Sequence, residues 1–325
     1  MEFNWPGLTW DHLIPQVYLK GWRDPQVRTP AQVWLINKDD LTGTLQPCKQ
    51  ILRELGFYLT VDNQGNPSNE TERFLGLAES RVGFIRKQLE LARALSDPDR
   101  AKLWEFVAGM FARTRLWREQ IERLGDAAFD LYVRRAASDP VAFIREFVPN
   151  ARVQALPKHM LRRAASRLLE TARPDIERSS KVLARSLHTT AIRSVTDKAA
   201  TSGLPFCIVH SDSGSFLPSD APSFVEEPTV LDVPREEGPG ALWFMPLSPK
   251  IVFVGGTRVH DSHIPASQEW TARFNHRLRR SAHVWLISSK CDLRQEDFAP
   301  IESDPPSTRE LIELAALNAI RKRFE

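Results

Sequence analysis

Apolar positions recur every three or four residues along two long central stretches of the chain and gather in short β-branched runs nearer its ends. Phe74, Leu75, Ala78, Val82, Ile85, Leu89 and Ala92 predict an amphipathic helix that runs to about Leu95. Asn69 followed by Glu72 has the spacing of a capping box at its start. Ser96-Asp97-Pro98 breaks this helix and caps a second, through Leu103, Phe106, Val107, Met110, Phe111 and Leu116. Further helices are expected over about residues 125–136, 140–147, 158–172 and 175–199, each introduced by Asp, Pro or both. Two long antiparallel helices with shorter ones packed across them is the expected arrangement.

The texture changes at Thr201. Segments 204–210, 243–246, 251–254 and 283–287 read as strands, with Pro and Gly concentrated between them, and Gly255-Gly256 reads as a turn. A helix over about 266–281 separates the last two strands, and another over about 308–322 closes the chain. Near the other end, Leu13, Val17, Tyr18, Leu19 and Trp22 suit a short helix over 10–22. Segment 32–36 (Gln-Val-Trp-Leu-Ile) reads as a buried strand, and 62–67 as a turn. Strands gathered after a run of helices predict an α+β fold. Its helical part covers about 67–200, packed on a small mixed β-sheet formed mainly by the C-terminal third, 201–325. The strand near 32–36 joins that sheet, within a single domain spanning 1–325.

Composition narrows the class. With 325 residues, 42% apolar and 26% charged, the chain is long enough to bury a sizeable core. No run of about 18 apolar residues predicts a membrane span, and the first residues carry neither a basic lead nor an apolar run, so a cytoplasmic protein is expected. Cys48, Cys207 and Cys291 form no CxxC pair and are expected to be reduced structural thiols.

The net charge of +3 is unevenly spread. Between Arg113 and Arg185 there are 16 basic against 9 acidic residues, and Arg outnumbers Lys 33 to 11. Guanidinium groups suit bidentate recognition of phosphate, so segment 113–185 is a candidate nucleic-acid track. Solvated helix faces of an arginine-rich chain explain the same excess.

Motifs that would name a common chemistry are absent: no Walker loop, no GxGxxG after a strand, no HExxH, no GxSxG. A resemblance is carried instead by several short blocks. His12-Leu13-Ile14-Pro15-Gln16-Val17-Tyr18-Leu19-Lys20-Gly21-Trp22 resembles the opening motif of domain-of-unknown-function family 4238. Gly56-Phe57-Tyr58, the helix from Glu72 to Glu79, and Arg113-Thr114-Arg115 are similar to that family's next blocks, in order. Phe216-Leu217-Pro218-Ser219-Asp220-Ala221-Pro222 and Met245-Pro246-Leu247-Ser248-Pro249 are similar to its two C-terminal signatures, with Asn275 and Ser288-Ser289 beyond them. Members often open with two adjacent histidines; here Asp11 holds the first of those positions. The family carries no activity, so the resemblance implies fold and extent.

The residues themselves supply a candidate chemistry. A neutral imidazole at His12 can act as a general base, and Gln16, a helical turn later, can hold a substrate oxygen. Glu72 and Glu79 share a helix face, and Asp220 stands in a Pro-bounded turn. Arg113 and Arg115 point about 200° apart on a helix, so one of them at most faces a given cleft. Together these are parts for metal-assisted phosphodiester cleavage. Glu72, Glu79 and Asp220 would hold Mg2+ or Mn2+, His12 would activate water, and Arg113 would neutralise the developing charge.

Structural roles account for the same residues one by one. Glu72 can be a helix cap, Glu79 a partner of Arg113 in a buried ion pair, and Asp220 an Asx turn. Trp104, Phe111 and Trp117 read as core rather than as a base-stacking platform. Three function classes therefore stand: a metal-dependent nuclease or related phosphoester hydrolase, a non-catalytic module that binds nucleic acid, nucleotide or an acidic protein, and a toxin or defence effector.

Overall fold

The computed structural model describes residues 10–27, 30–58, 60–61, 67–115, 117–119, 121–123, 188–212, 216–226, 242–257 and 259–298, with 134, 138–139, 141–142, 157–163 and 167. The closing helix expected over 308–322, and most of those expected over 125–187, lie outside the described residues; 158–163 and 188–201 are helical.

The architecture is mixed α+β. Along the chain come β1 (Trp10–His12), α1 (Gln16–Leu19), β2 (Gln32–Asn37), β3 (Gly43–Pro47), β4 (Arg53–Leu55), β5 (Thr60–Val61) and β6 (Pro67–Ser68). Two long helices, α2 (Glu70–Glu90) and α3 (Asp97–Ala112), follow. After the helical stretch 188–201 come β7 (Phe206–His210), β8 (Phe224–Glu226), β9 (Leu242–Ser248), β10 (Ile251–Gly255), β11 (Ser262–Pro265), α4 (Gln268–Ser281) and β12 (Trp285–Ser288).

The C-terminal strands form a five-stranded mixed sheet in the order β11-β7-β10-β9-β8, in which only β11 and β7 are parallel. The strand expected near 32–36 is present as β2, but it is not part of that sheet. It is the middle strand of a separate three-stranded sheet, β12-β2-β3, pairing Leu286 with Ile36 and Trp34 with Leu45.

Alternation along the central strands divides the core in two. Phe206, Ile208, Met245, Leu247, Ile251 and Phe253 face α2 and α3, packing with Val82, Ile85, Leu103, Phe106 and Met110 and with the N-terminal Ile14, Tyr18 and Trp22. Cys207, Val209, Phe244, Val252 and Val254 face the other way, onto Phe274 and Leu278 of α4 and onto Ile36 and Leu286. A strand covered on both sides has no solvated face, which is why β10 reads as an unbroken apolar run and is buried throughout. Its last residue is glycine because a Cβ at Gly255 would run into the rings of Trp104 and Phe253.

Three local expectations are corrected. The helix expected over 10–22 is a three-residue strand followed by the four-residue α1 and a 3-10 turn at Lys20–Trp22. Pro15, extended at φ −60° and ψ 142°, keeps the helix from starting earlier. Asn69 stands at the N-cap of α2 but makes no side-chain cap bond, so the capping box is not formed. The same helix ends at Glu90, before Leu95, where Ala92 takes a positive φ of 52°. Ser96 does cap α3, accepting from the Asp99 amide at 3.4 Å. Cys48 and Cys207 are buried and Cys291 is exposed, and all three are free thiols.

Candidate functional site

Five of the six candidate residues come together where the start of the chain meets one face of α2 and the end of α3. β1 pairs antiparallel with β4, setting His12 opposite Arg53 and Asp11 opposite Glu54. Alternation sends Asp11 inward, where its Oδ2 accepts the Tyr58 amide at 2.9 Å, and leaves His12 half-buried. Asp11 thus serves as a buried acceptor.

His12 Nε2 lies 3.3 Å from the Lys49 carbonyl and 3.4 Å from Gln16 Nε2. A protonated Nε2 donates to the Lys49 carbonyl, whereas an unprotonated Nε2 accepts from the Gln16 amide, so the tautomer selects one of the two contacts. The tautomer bonded to Lys49 leaves the lone pair on Nδ1. Burial lowers the imidazole below its ordinary value, opposed by the Lys49 hydrogen bond, so the neutral form prevails near pH 7.

Glu72 and Glu79 stand two turns apart on α2, as their spacing predicts. Arg113, the C-cap of α3 and 1% exposed, donates through Nη1 to Glu79 Oε1 at 2.6 Å and approaches Met110 Sδ at 2.9 Å with Nη2. The buried ion pair weighed above as a structural role is therefore formed. Yet neither Arg113 Nε nor Glu72 Oε2, both buried atoms, has a hydrogen-bond partner among the described residues. Leu13, Phe57, Tyr58, Leu75, Ala112 and Ile192 form an apolar floor beneath.

That floor sets the electrostatics. Burial pushes the Glu72 carboxyl up to about 7; Arg113 pulls it down, while Asp11 and Glu79 push it further up. Burial acts to lower the Arg113 guanidinium, but Glu79, Tyr58 and Glu72 outweigh it, and the group is held more firmly charged than usual. The site thus holds a carboxyl that titrates near neutrality, a neutral imidazole and a fixed cation, which is the equipment of general acid–base chemistry.

Asp220, the sixth candidate, is elsewhere. Its carboxylate accepts the amides of His283, Val284 and Trp285 at 2.8, 2.8 and 3.1 Å, tying the loop before β8 to the start of β12. Burial still raises it, against those three bonds. The expected set of Glu72, Glu79 and Asp220 is not assembled: the Asp220 carboxylate is engaged by three backbone amides at the start of β12. Among the described residues no three of His, Cys, Asp and Glu are grouped to hold a metal ion.

Arg115 is half-exposed and pairs with Glu54 at 3.0 Å, leaving Arg113 as the arginine of the cluster. Arg118 binds Glu54 and Glu122, so the described head of the basic segment is largely engaged with carboxylates; most of 113–185 lies outside the described residues. Trp104 is core, its Nε1 donating to the Leu204 carbonyl at 2.8 Å.

Two residues gained roles that the sequence did not assign: Tyr58, whose hydroxyl lies 3.4 Å from the His12 carbonyl, and Arg53, opposite His12. Gly56-Phe57-Tyr58 was visible as a block, but a three-residue strand such as β1 carries too little alternation to announce its partner.

A family model described as "Protein of unknown function (DUF4238)" matches residues 11–292, from the buried Asp11 to just past β12. No curated protein and no solved structure matches the chain.

Proposed function

Because the chain belongs to the DUF4238 family, whose description carries no activity, we propose its function from the geometry alone: hydrolysis of a phosphoester by general acid–base catalysis at the Glu72–His12–Arg113 cluster. The observation that carries this reading is Glu72. Its carboxyl, raised to about 7, has a buried oxygen without a hydrogen-bond partner among the described residues, beside a charged guanidinium. Burying such a group costs stability, and a fold retains that cost at a site of use more often than elsewhere.

In the step proposed, His12 Nδ1 takes a proton from water as the water oxygen bonds to phosphorus. The bond from phosphorus to the leaving oxygen breaks, and protonated Glu72 supplies the proton that oxygen needs. Gln16 and Arg53 line the approach to His12 and suit a phosphate, while Arg113 positions Glu79 and balances the charge of the two carboxylates. Mg2+ or Mn2+ held by Glu72 and Glu79 would lack the third expected ligand, since Asp220 is engaged elsewhere; the acid–base route uses only groups already in place.

Trp10 supports a nucleotide or nucleic acid as the substrate class. It lies on the His12 face of β1, 54% exposed, with the Arg53 guanidinium 4.7 Å from its ring centroid. The same edge favours a second reading, a module that binds such a ligand without cleaving it.

The test is turnover of bis(p-nitrophenyl) phosphate and of labelled single- and double-stranded RNA and DNA, with Mg2+, Mn2+ or EDTA. Turnover should fall about a hundredfold in both His12→Ala and Glu72→Gln. Its rate should rise with pH as His12 loses its proton, below that group's ordinary 6.5, and fall again through about 7 as Glu72 loses its own. Turnover undiminished in both variants sinks the proposal, and binding without turnover transfers it to the second reading.

A further inference from the structure

At the far end of the five-stranded sheet, β7 and β11 run parallel in the register Ile208 with His263 and His210 with Pro265. His210 and His263 are therefore diagonal neighbours on one face of the sheet. His210 Nε2 lies 2.7 Å from His263 Nδ1, and the ring centroids are 5.0 Å apart with planes inclined by 36°. Two imidazole nitrogens at that separation share one proton, so at least one of the pair presents a lone pair to the other. Neither side chain belongs to the cluster around Glu72, and neither packs as core: His210 is half-buried and His263 exposed.

We propose that His210 and His263 form a binding site for a divalent transition-metal ion of the imidazole-preferring class, Zn2+ or Cu2+. Tetrahedral imidazole ligands at about 2.0–2.1 Å from a zinc ion stand about 3.3–3.4 Å apart. Replacing the shared proton by the ion thus requires the two nitrogens, 2.7 Å apart, to separate by well under an ångström. The scaffold is in place beforehand. β7 is hydrogen-bonded to β10 on one side and to β11 on the other, and the His210 carbonyl accepts the Ala266 amide at 2.6 Å, fixing where β11 ends.

Charge around the pair favours a cation. Asp212, two residues beyond His210, and Glu90, at the end of α2, both act on His210 to favour its positive form, although burial and the neighbouring His263 together leave its affinity for a proton below the usual value. Burial lowers His263 as well. Both imidazoles are therefore largely neutral near pH 7, the form that ligates. The protein supplies two ligands, with water completing the shell and the two carboxylates lending charge from outside it.

The experiment is titration of the full chain with Zn2+ and with Cu2+, read by calorimetry and by competition against a chromogenic chelator. Wild type should bind about one ion per chain in the micromolar range, and His210→Ala and His263→Ala should each weaken it about tenfold or more. His263→Gln, which keeps a hydrogen-bonding side chain, should lose the ion as fully as His263→Ala, whereas His260→Ala should bind like wild type. Unchanged far-ultraviolet dichroism and melting in all four variants will show that folding is intact. Binding that survives in both His210→Ala and His263→Ala, or no binding by wild type at about 100 μM metal, overturns the site.

Discussion

Glu72 and His188 show how burial sets the chemistry of single residues in opposite directions. Glu72, raised from 4.5 to about 7, keeps its proton in the folded state after the unfolded chain has lost it. Its contribution to stability therefore falls as pH rises from about 4.5 to 7, and the cost is fully present above that range. Glu72→Gln should melt higher than wild type at pH 8 and equally at pH 4.5; a lower melting temperature at pH 8 would show that ionised Glu72 is stabilised by a partner.

His188 does the reverse. Its Nε2 lies 3.0 Å from the Ala112 carbonyl at the end of α3, its ring meets Phe57 edge-on, and burial lowers it from 6.5 to about 4. The unfolded chain gains a proton near 6.5 that the folded chain refuses, so stability is lost as pH falls from 6.5 towards 4, by about 3 kcal/mol in all. The difference in unfolding free energy between wild type and His188→Gln, measured from pH 7 to 4, should shrink by about that amount. A flat difference would mean that His188 titrates normally.

At the scale of elements, ends and connections matter more than interiors. α3 has its Ser96 cap and Pro98 in its first turn, and it begins where those residues predict. α2 lacks a side-chain cap bond at Asn69, and its Glu72 is turned to the site instead of back to the helix start. Asp220 performs the equivalent service for β12, presenting one carboxylate to three consecutive amides. Asp220→Ala would leave those donors without an acceptor and should destabilise the protein by about 3 kcal/mol or more in urea unfolding. Because that loss is one of connection rather than chemistry, the purified variant should keep its activity at temperatures where it remains folded. A variant that is fully stable yet inactive would return Asp220 to the site.

Over the whole molecule, among the described residues, helices α2 and α3 on one face of the five-stranded sheet and α4 on the other leave β10, buried at every residue, the most enclosed strand of that sheet. Native-state hydrogen exchange should find the β10 amides among the slowest, exchanging only through global opening, with β1 and β4 much faster because they form a two-stranded ribbon at the rim. Fast exchange in β10 would contradict this layering. The candidate site occupies that rim, where half-buried side chains can reach both solvent and the apolar floor that shifts their protonation.

Local pattern alone determined the α+β class, the two long helices, β7, β9, β10 and β12 of the six C-terminal strands, and β2, because each carries its periodicity or its cap within its own residues; the short β8 and β11 carry too few residues to do so. It also marked Glu72, Glu79, Arg113, His12 and Gln16 as a set worth testing. Only the tertiary structure decided that these five meet while Asp220 does not, since nothing local distinguishes an Asp that caps a distant strand from one that faces a cleft. The pairing of β2 with β12 across some 250 residues, the inward turn of Asp11 and the meeting of His210 with His263 are likewise matters of strand register. Register is chosen by which apolar face the finished core can bury, and that choice exists only once the distant segments have come together.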